Sequence, residues 1–317
     1  MVHIQLERPL TVLMPVYKTP RDWLQTAITS ILNQSFDNFY FFIVDDGSES
    51  ELIDQLINSF ARRDSRVVYF KNAKNKGLVS TLNSAIENIS TPWIARMDSD
   101  DQAFKNRLAR QIDCARSTFK KVDVVGTSIQ IMAKRTVTIL PGTHSQIKAT
   151  MPWRCCIAHP TVMIRTKMIR DVGGYPDVKN AEDYALWTKL LLQSNARFEN
   201  IQEPLLNYRV VEGREKYFQV QEENTFNVQN EWFKWAGLSE EQFNVWKNVK
   251  MGNVSPKQFL KIRDAIIKME SNLSNFGVLS SDATKVARKT IRQAMKKIDD
   301  PWFKLYWGIR HLLHLTV

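Results

Sequence analysis

The 317-residue sequence predicts an α/β chain: a mostly parallel, Rossmann-like sheet between helices, followed by a helical C-terminal extension. Three observations predict it. Over the first two hundred residues short apolar runs alternate with segments of helical period, the pattern of βαβ units with helices on both sheet faces. Acidic clusters stand directly after two of the apolar runs, where ligands of such sheets bind. From about Glu212 the strand-like runs stop and the remainder reads as helix, with Trp232, Trp235, Trp246, Trp302 and Trp307 in it.

Thr11–Val16 reads as a buried strand. Thr19, Pro20 and Asp22 then supply an N-cap, a first-turn proline and a capping-box acid for a helix. Phe39–Val44 is a second strand, followed by a turn at Asp45–Ser48 and a helix to about Phe60. Arg66–Phe70 is a third strand, and Gly77 precedes a helix to about Ile89. Trp93–Met97 is a fourth strand. The alternation then loosens: Val122–Gly126, Thr161–Ile164 and Leu205–Val210 read as strands, and Glu182–Leu192 as a helix. Residues 1–211 and 212–317 are the expected domains.

Hydrophobic residues at 44% and charged residues at 24% fit a packed core rather than a disordered chain. Cys114, Cys155 and Cys156 form neither a disulfide framework nor a CxxC zinc pair, so a reducing compartment is expected. Glu7, Arg8 and Pro9 argue against a signal peptide, and no stretch reaches the roughly 20 apolar residues of a membrane helix. A cytoplasmic location is therefore expected. The formal charge of +11 suits nucleic acid, an anionic membrane surface or acidic small substrates. The lack of a zinc finger, an RNA-binding sheet signature or an Arg-rich repeat argues against nucleic acid.

Asp98-Ser99-Asp100-Asp101 places three carboxylates in four residues, which repel unless a cation lies among them. A hard divalent ion suits such oxygens and leaves positions for substrate phosphates. A solvated acidic turn is the bland alternative. A calcium loop is excluded, because Ala103 and Ala109 stand where glycine and glutamate are required. Asp45-Asp46 can accept hydrogen bonds from a base N–H or a ribose hydroxyl, or simply form a turn whose Ser48 caps the next helix. Glu182-Asp183 opens a helix, as a cap favoured by the macrodipole or as a general base. His159 is a structural hydrogen-bonder or a ligand, and Arg209 a surface charge or a phosphate clamp.

These motifs, with Pro15-Val16-Tyr17, Ser30-Ile31-Leu32-Asn33-Gln34-Ser35, Asn83, Ile157-Ala158-His159-Pro160, Gly173-Gly174-Tyr175 and Tyr208-Arg209, stand in one order. Over residues 10 to 211 the chain resembles glycosyltransferase family 2, inverting enzymes of the A-type fold, and in particular those of bacterial O-antigen and capsule surface polysaccharides. The resemblance implies transfer of a sugar from a nucleotide diphosphate, a UDP-sugar, to a hydroxyl of a glycan or lipid-diphosphate-linked acceptor. It implies that Pro15, Val16 and Tyr17 flank the base, Asp45 and Asp46 bind uracil or ribose, and Lys76 and Gly77 lie in the loop near the base. Asp98 would touch ribose and metal, and Asp100 would hold Mn2+ or Mg2+ on the diphosphate, with Arg209 on the donor side. Asp183 would be the base, with Glu182 and His159 towards the acceptor.

Two departures from the family pattern stand out: Val211 where relatives carry histidine, and Cys155 where they tend to carry asparagine. A non-catalytic nucleotide- or glycan-binding protein on the same scaffold is the alternative that Val211 favours. A sugar nucleotidyltransferase would carry a Gly-rich, basic N-terminal loop, and Met14-Pro15-Val16-Tyr17-Lys18 has no glycine. Near the C-terminus Lys285, Arg288, Lys289, Arg292, Lys296 and Lys297 recur at helical spacing. Trp302, Leu305, Tyr306, Ile309, Leu312 and Leu313 would form an apolar face beyond them. That pairing predicts a peripheral anchor on the inner face of an anionic membrane, or a helix packed on the protein's own core.

Overall fold

The chain divides into two compact units, residues 1–144 with 156–221, and residues 145–155 with 222–317. A computed structural model describes residues 8–117, 121–211, 218–252, 254–298 and 300.

The first unit is built on a nine-stranded sheet. Its first half comprises β1 (Leu10–Val16), β2 (Phe39–Asp45), β3 (Val67–Lys71) and β4 (Trp93–Arg96). Neighbours in the order β3-β2-β1-β4 are all parallel. Every residue of β1 is buried, as an apolar run covered on both faces requires. The chain steps outward from β1 to β3 and then returns to β4 on the other side of β1, so the sheet switches direction there. Helices α1 (Arg21–Leu32), α2 (Glu51–Arg63) and α3 (Leu78–Glu87) make the crossovers. The buried face of α1, Leu24, Ala27, Ile28 and Ile31, has the 3.6-residue period of an amphipathic helix.

The second half carries β5 (Gln102–Ala103), α4 (Arg107–Arg116), β6 (Val124–Ile131), β7 (Thr136–Thr138), β8 (Met163–Arg165), α6 (Thr166–Asp171), α7 (Glu182–Gln193) and β9 (Phe198–Tyr208), with α5 (His144–Thr150) between β7 and β8. The sheet continues β4-β8-β6-β9-β5, and β7 pairs with β6. β8 runs antiparallel to β4 and β6, whereas β6 and β9 are parallel. The fold is the α/β A-type arrangement with C-terminal helices that the sequence predicts.

Several local expectations are corrected. Thr19 does not cap α1: Pro20 holds the cap position without a side-chain bond, and the Thr19 hydroxyl lies 2.6 Å from that of Ser99. Ser50, not Ser48, caps α2, accepting from the Ile53 N–H. The segment expected as a strand from Thr161 opens as a 3-10 turn at His159–Thr161, and the last strand begins at Phe198 rather than Leu205.

α4 inserts a polar cluster into the core. Arg107 is fully buried and donates through NH2 to the Arg96 carbonyl at 2.6 Å and through Nε to Gln111 Oε1 at 3.1 Å. Gln111 in turn donates to the Val125 and Thr161 carbonyls at 2.8 and 2.7 Å. One amide thereby ties α4 to β6 and to the 3-10 turn.

The second unit consists of residues 145–155 and the helices α8 (Phe218–Trp235), α9 (Glu240–Met251), α10 (Pro256–Asn275) and α11 (Ser280–Met295), α8 joining it from Glu222 onward. Trp153 packs edge-on against Phe233 and Trp246, and Gln229 joins the Trp153 carbonyl to the Trp246 N–H. Ser239 and Ser255 begin α9 and α10 with full capping boxes. Lys285, Arg288, Lys289 and Arg292 are exposed on α11. The apolar face expected from Trp302 to Leu313 lies outside the described residues. Among the described residues no helix is long and apolar enough to cross a membrane.

Gln111→Leu is expected to destabilise the protein by about 2–4 kcal/mol in chemical denaturation, because it leaves Arg107 Nε and two carbonyls without this partner inside the core.

Candidate active site

The carboxyl ends of β1, β2 and β4 bring Tyr17, Asp45–Asp46 and Asp98 to one edge of the sheet. The β1–β2 register sets Val16 opposite Asp45, and the Asp46 N–H donates to the Val16 carbonyl at 2.8 Å. Pro15 and Val16 are buried in β1, while Tyr17 is 46% exposed at its lip, with Lys18 Nζ over its ring.

The two adjacent aspartates have different environments. Asp46 is saturated. Its Oδ1 accepts from Asn72 Nδ2 and the Lys76 N–H, and its Oδ2 from Asn75 Nδ2 and the Gly77 N–H, all at 2.8–2.9 Å. Asp46 is therefore the hub that folds the 72–77 loop, and the Lys76 side chain is left exposed. Asp45 accepts through Oδ1 from the N–H and hydroxyl of Ser48, but its buried Oδ2 has no hydrogen-bond partner among the described residues. A buried carboxylate oxygen without a donor is costly unless a ligand supplies one. Gly47, directly after them, has φ +72°, and a Cβ there would lie 2.5 Å from the Lys74 carbonyl carbon. Only glycine permits the loop to close so tightly.

Asp98, Asp100 and Asp101 offer carboxylate oxygens within 4.8 Å of one another. Asp101 is 1% exposed. Its Oδ1 accepts from the Arg209 N–H at 2.7 Å, and its Oδ2 is buried and unpartnered among the described residues. Burial first, and the charge of Asp98 next, push its carboxyl up to about 8. This donor set is hard, anionic and under-neutralised, which fits a divalent cation bound by oxygen. Arg209 donates through Nε to the Asp100 carbonyl at 2.7 Å and lies over the Trp23 ring at 4.4 Å, bracing the acidic loop from β9. The Ser30–Ser35 motif braces the segment that follows. Ser30 Oγ accepts from the Ala103 N–H, Gln34 bonds the Phe104 carbonyl and the Leu108 N–H, and the Ser35 N–H donates to the Lys105 carbonyl.

A second carboxylate station begins α7. Burial raises the Glu182 carboxyl, and burial together with the Glu182 charge raises that of Asp183 to about 7. Asp183 Oδ1 accepts from the Tyr184 N–H at 2.7 Å. His159 lies behind: it is 9% exposed, its Nε2 is 2.8 Å from the Tyr175 hydroxyl, and its ring meets the edge of Trp187. Burial and the Arg96 charge hold its pKa well below the usual range, so it is neutral. Tyr175 is fixed by Asn83, which accepts from its N–H at 2.8 Å and donates to its carbonyl at 2.9 Å. A Cβ on Gly174, at φ +78°, would lie 2.4 Å from Asn83 Oδ1, which accounts for the glycine there.

Arg96 is the residue that sequence reasoning passed over. It lies in β4, 4% exposed, with NH1 in an ion pair with Asp98 Oδ1. The charges of Asp98 and Glu182 act on it against the cost of its burial. A charged residue at the fourth position of an apolar run before an acid cluster was its available signal. Val211 stands two residues after Arg209 and its side chain offers no ligand atom, and Cys155 is half-buried in the second unit.

A parallel half-sheet with acids at its switch point, an acidic loop after its fourth strand and a carboxylate helix beyond define an A-type glycosyltransferase. The chain belongs to glycosyl transferase family 2, whose pattern matches residues 11–172. It is 31% identical to the O-antigen biosynthesis glycosyltransferase WbnJ of Escherichia coli, over 63% of this chain and 79% of that one. It is 29% identical to the putative glycosyltransferase EpsE of Bacillus subtilis, over 63% and 72%. Its fold resembles S. aureus TarS 1-349 in complex with UDP, with a TM-score of 0.56 and 19% identity over 90% of this chain and 88% of that one. It also resembles the Pyrobaculum calidifontis mannosyltransferase in complex with GDP-Man and Mn2+, with a TM-score of 0.53 and 14% identity over 97% and 80%.

Asp46→Asn replaces one acceptor oxygen with a donor facing donors. Hydrogen exchange at residues 72–77 is expected to accelerate, whereas Asp45→Asn leaves those amides near wild-type rates.

Proposed function

We propose that the chain transfers a sugar, with inversion, from a UDP-sugar to a hydroxyl of a glycan or lipid-diphosphate-linked acceptor in surface-polysaccharide synthesis, with residues 1–211 as the catalytic domain. The observation that carries this reading is the pair of carboxylate stations with different chemistry. One is a converging acidic loop that needs positive charge; the other is a half-buried carboxyl, Asp183, raised to about 7.

In this reading Asp45 uses its unpartnered Oδ2 to accept from the base or ribose. Tyr17 lies beside the base, and Asp46 holds the loop of Lys76 and Gly77 in place behind it. Asp98 and Asp100 hold Mn2+ or Mg2+, which when bound neutralises charge on the departing diphosphate. Arg209 holds the acidic loop in shape rather than the phosphate. Asp183 removes the proton of the attacking hydroxyl, and a base works best with a pKa near the working pH. Glu182 orients the acceptor, and the Asn83–Tyr175–His159 chain fixes the floor beneath it. Inversion follows from a single displacement with the acceptor opposite the leaving group.

The O-antigen role of the Escherichia coli relative supports the polysaccharide setting. The nucleotide complexes of the structural neighbours support a nucleotide-sugar donor, and the Mn2+ complex supports the cation. The exposed basic residues of α11 support a peripheral place on the inner face of an anionic membrane.

Donor hydrolysis and transfer, read as UDP release, are expected to fall to background in EDTA and return with Mn2+ or Mg2+; full activity without any divalent ion would remove the role given to Asp98 and Asp100. Asp183→Asn is expected to keep UDP affinity and lower kcat by about 100-fold or more. Because the base must be ionised, wild-type kcat/KM should fall below about pH 7, and the residual Asp183→Asn activity should lack that limb. Near-normal turnover in the variant would assign the base elsewhere.

A further inference from the structure

The ion pair between Arg96 and Asp98 joins a buried residue to a partly open one: side-chain exposures are 5% and 31%. Arg96 cannot move far. Its N–H donates to the Val162 carbonyl at 2.7 Å, its own carbonyl accepts from Arg107 at 2.6 Å, and β4 holds it opposite Leu13 of β1. Asp98 lies two residues beyond Arg96, after the end of β4, and is the more accessible partner. One Asp98 oxygen is thus committed to a guanidinium, while Asp98 also contributes to the oxygen cluster with Asp100 and Asp101.

We propose that Arg96 is a positioning residue that acts as a built-in counter-ion for Asp98, competing with the divalent cation for that carboxylate when no donor is bound. Without a cation, Arg96 keeps the acidic loop from repelling itself apart. With a cation bound, Asp98 would be shared between it and Arg96, and the charge of Glu182 would still compensate the guanidinium. The guanidinium thus lowers the affinity of the empty site for metal and links the acidic loop to the α7 carboxylates. This inference rests on the cation role proposed for Asp98.

A merely structural arginine and a counter-ion predict opposite signs. Mn2+ binding to the donor-free protein, followed by electron paramagnetic resonance, separates them. Removing a positive charge next to the ion should strengthen binding, so Arg96→Met is expected to bind Mn2+ about tenfold more tightly than wild type. Arg96→Lys, which keeps the charge, should stay near wild type. If Arg96→Met does not fold, Arg96→Gln carries the same comparison with a polar side chain of similar reach. Unchanged or weaker Mn2+ binding by the neutral variant overturns the counter-ion. Absence of Mn2+ binding by wild type at the acidic loop instead overturns the cation role of Asp98, a distinguishable result.

Discussion

Carboxylates crowd the edge of this sheet because its topology leaves them nowhere else to go. The switch between β1 and β4 opens a crevice, and β2, β4 and α7 each deliver acids to it. Such a gathering is unstable in a low-dielectric setting unless positive charge is placed among it. Arg96 is the buried charge that meets this need, with the acidic loop on one side and α7 on the other. Its position in β4 places it in the interior of the sheet, with β1 on one side and β8 on the other. The perturbed carboxyls of Asp101 and Asp183 are the part of the problem that one arginine leaves unsolved.

Around that centre the motif residues divide into groups that face a ligand and groups that hold a loop. Asp46, Asn83, Gln34, Ser30 and Arg209 all spend their hydrogen bonds on backbone or neighbouring side chains. Asp45 and the acidic loop keep buried oxygens unpartnered among the described residues. Fixed dipoles of this kind need not reorganise when charge develops beside them.

The first half of the sheet was legible in the sequence because parallel strands covered on both faces read as apolar runs, as β1 and β2 do almost throughout. The acid clusters were legible for the same reason, as they end those runs. The second half was less so. β5 has two residues and β7 three exposed ones, so neither has a periodic signal. α4 opens with arginine, whose burial depends on partners in β4 and at Gln111 that lie nearby only after folding. The sequence could not separate Asp45 from Asp46, because the difference lies in four donors from residues 72 to 77. Nor could it tell that the Thr19 hydroxyl faces Ser99 rather than capping α1.

The saturation of Asp46 has a consequence for how such a site can diversify. Two of its four donors are main-chain N–H groups, so the path of the loop is set at those points by backbone, not by the identity of the residues there. Lys74 and Lys76 project from that frame into solvent. Substitutions at these two positions alter the surface of the loop without moving the backbone beneath it. The side chains at the rim are thus free to vary, whereas the carboxylate and the glycine beneath them hold the backbone and are not.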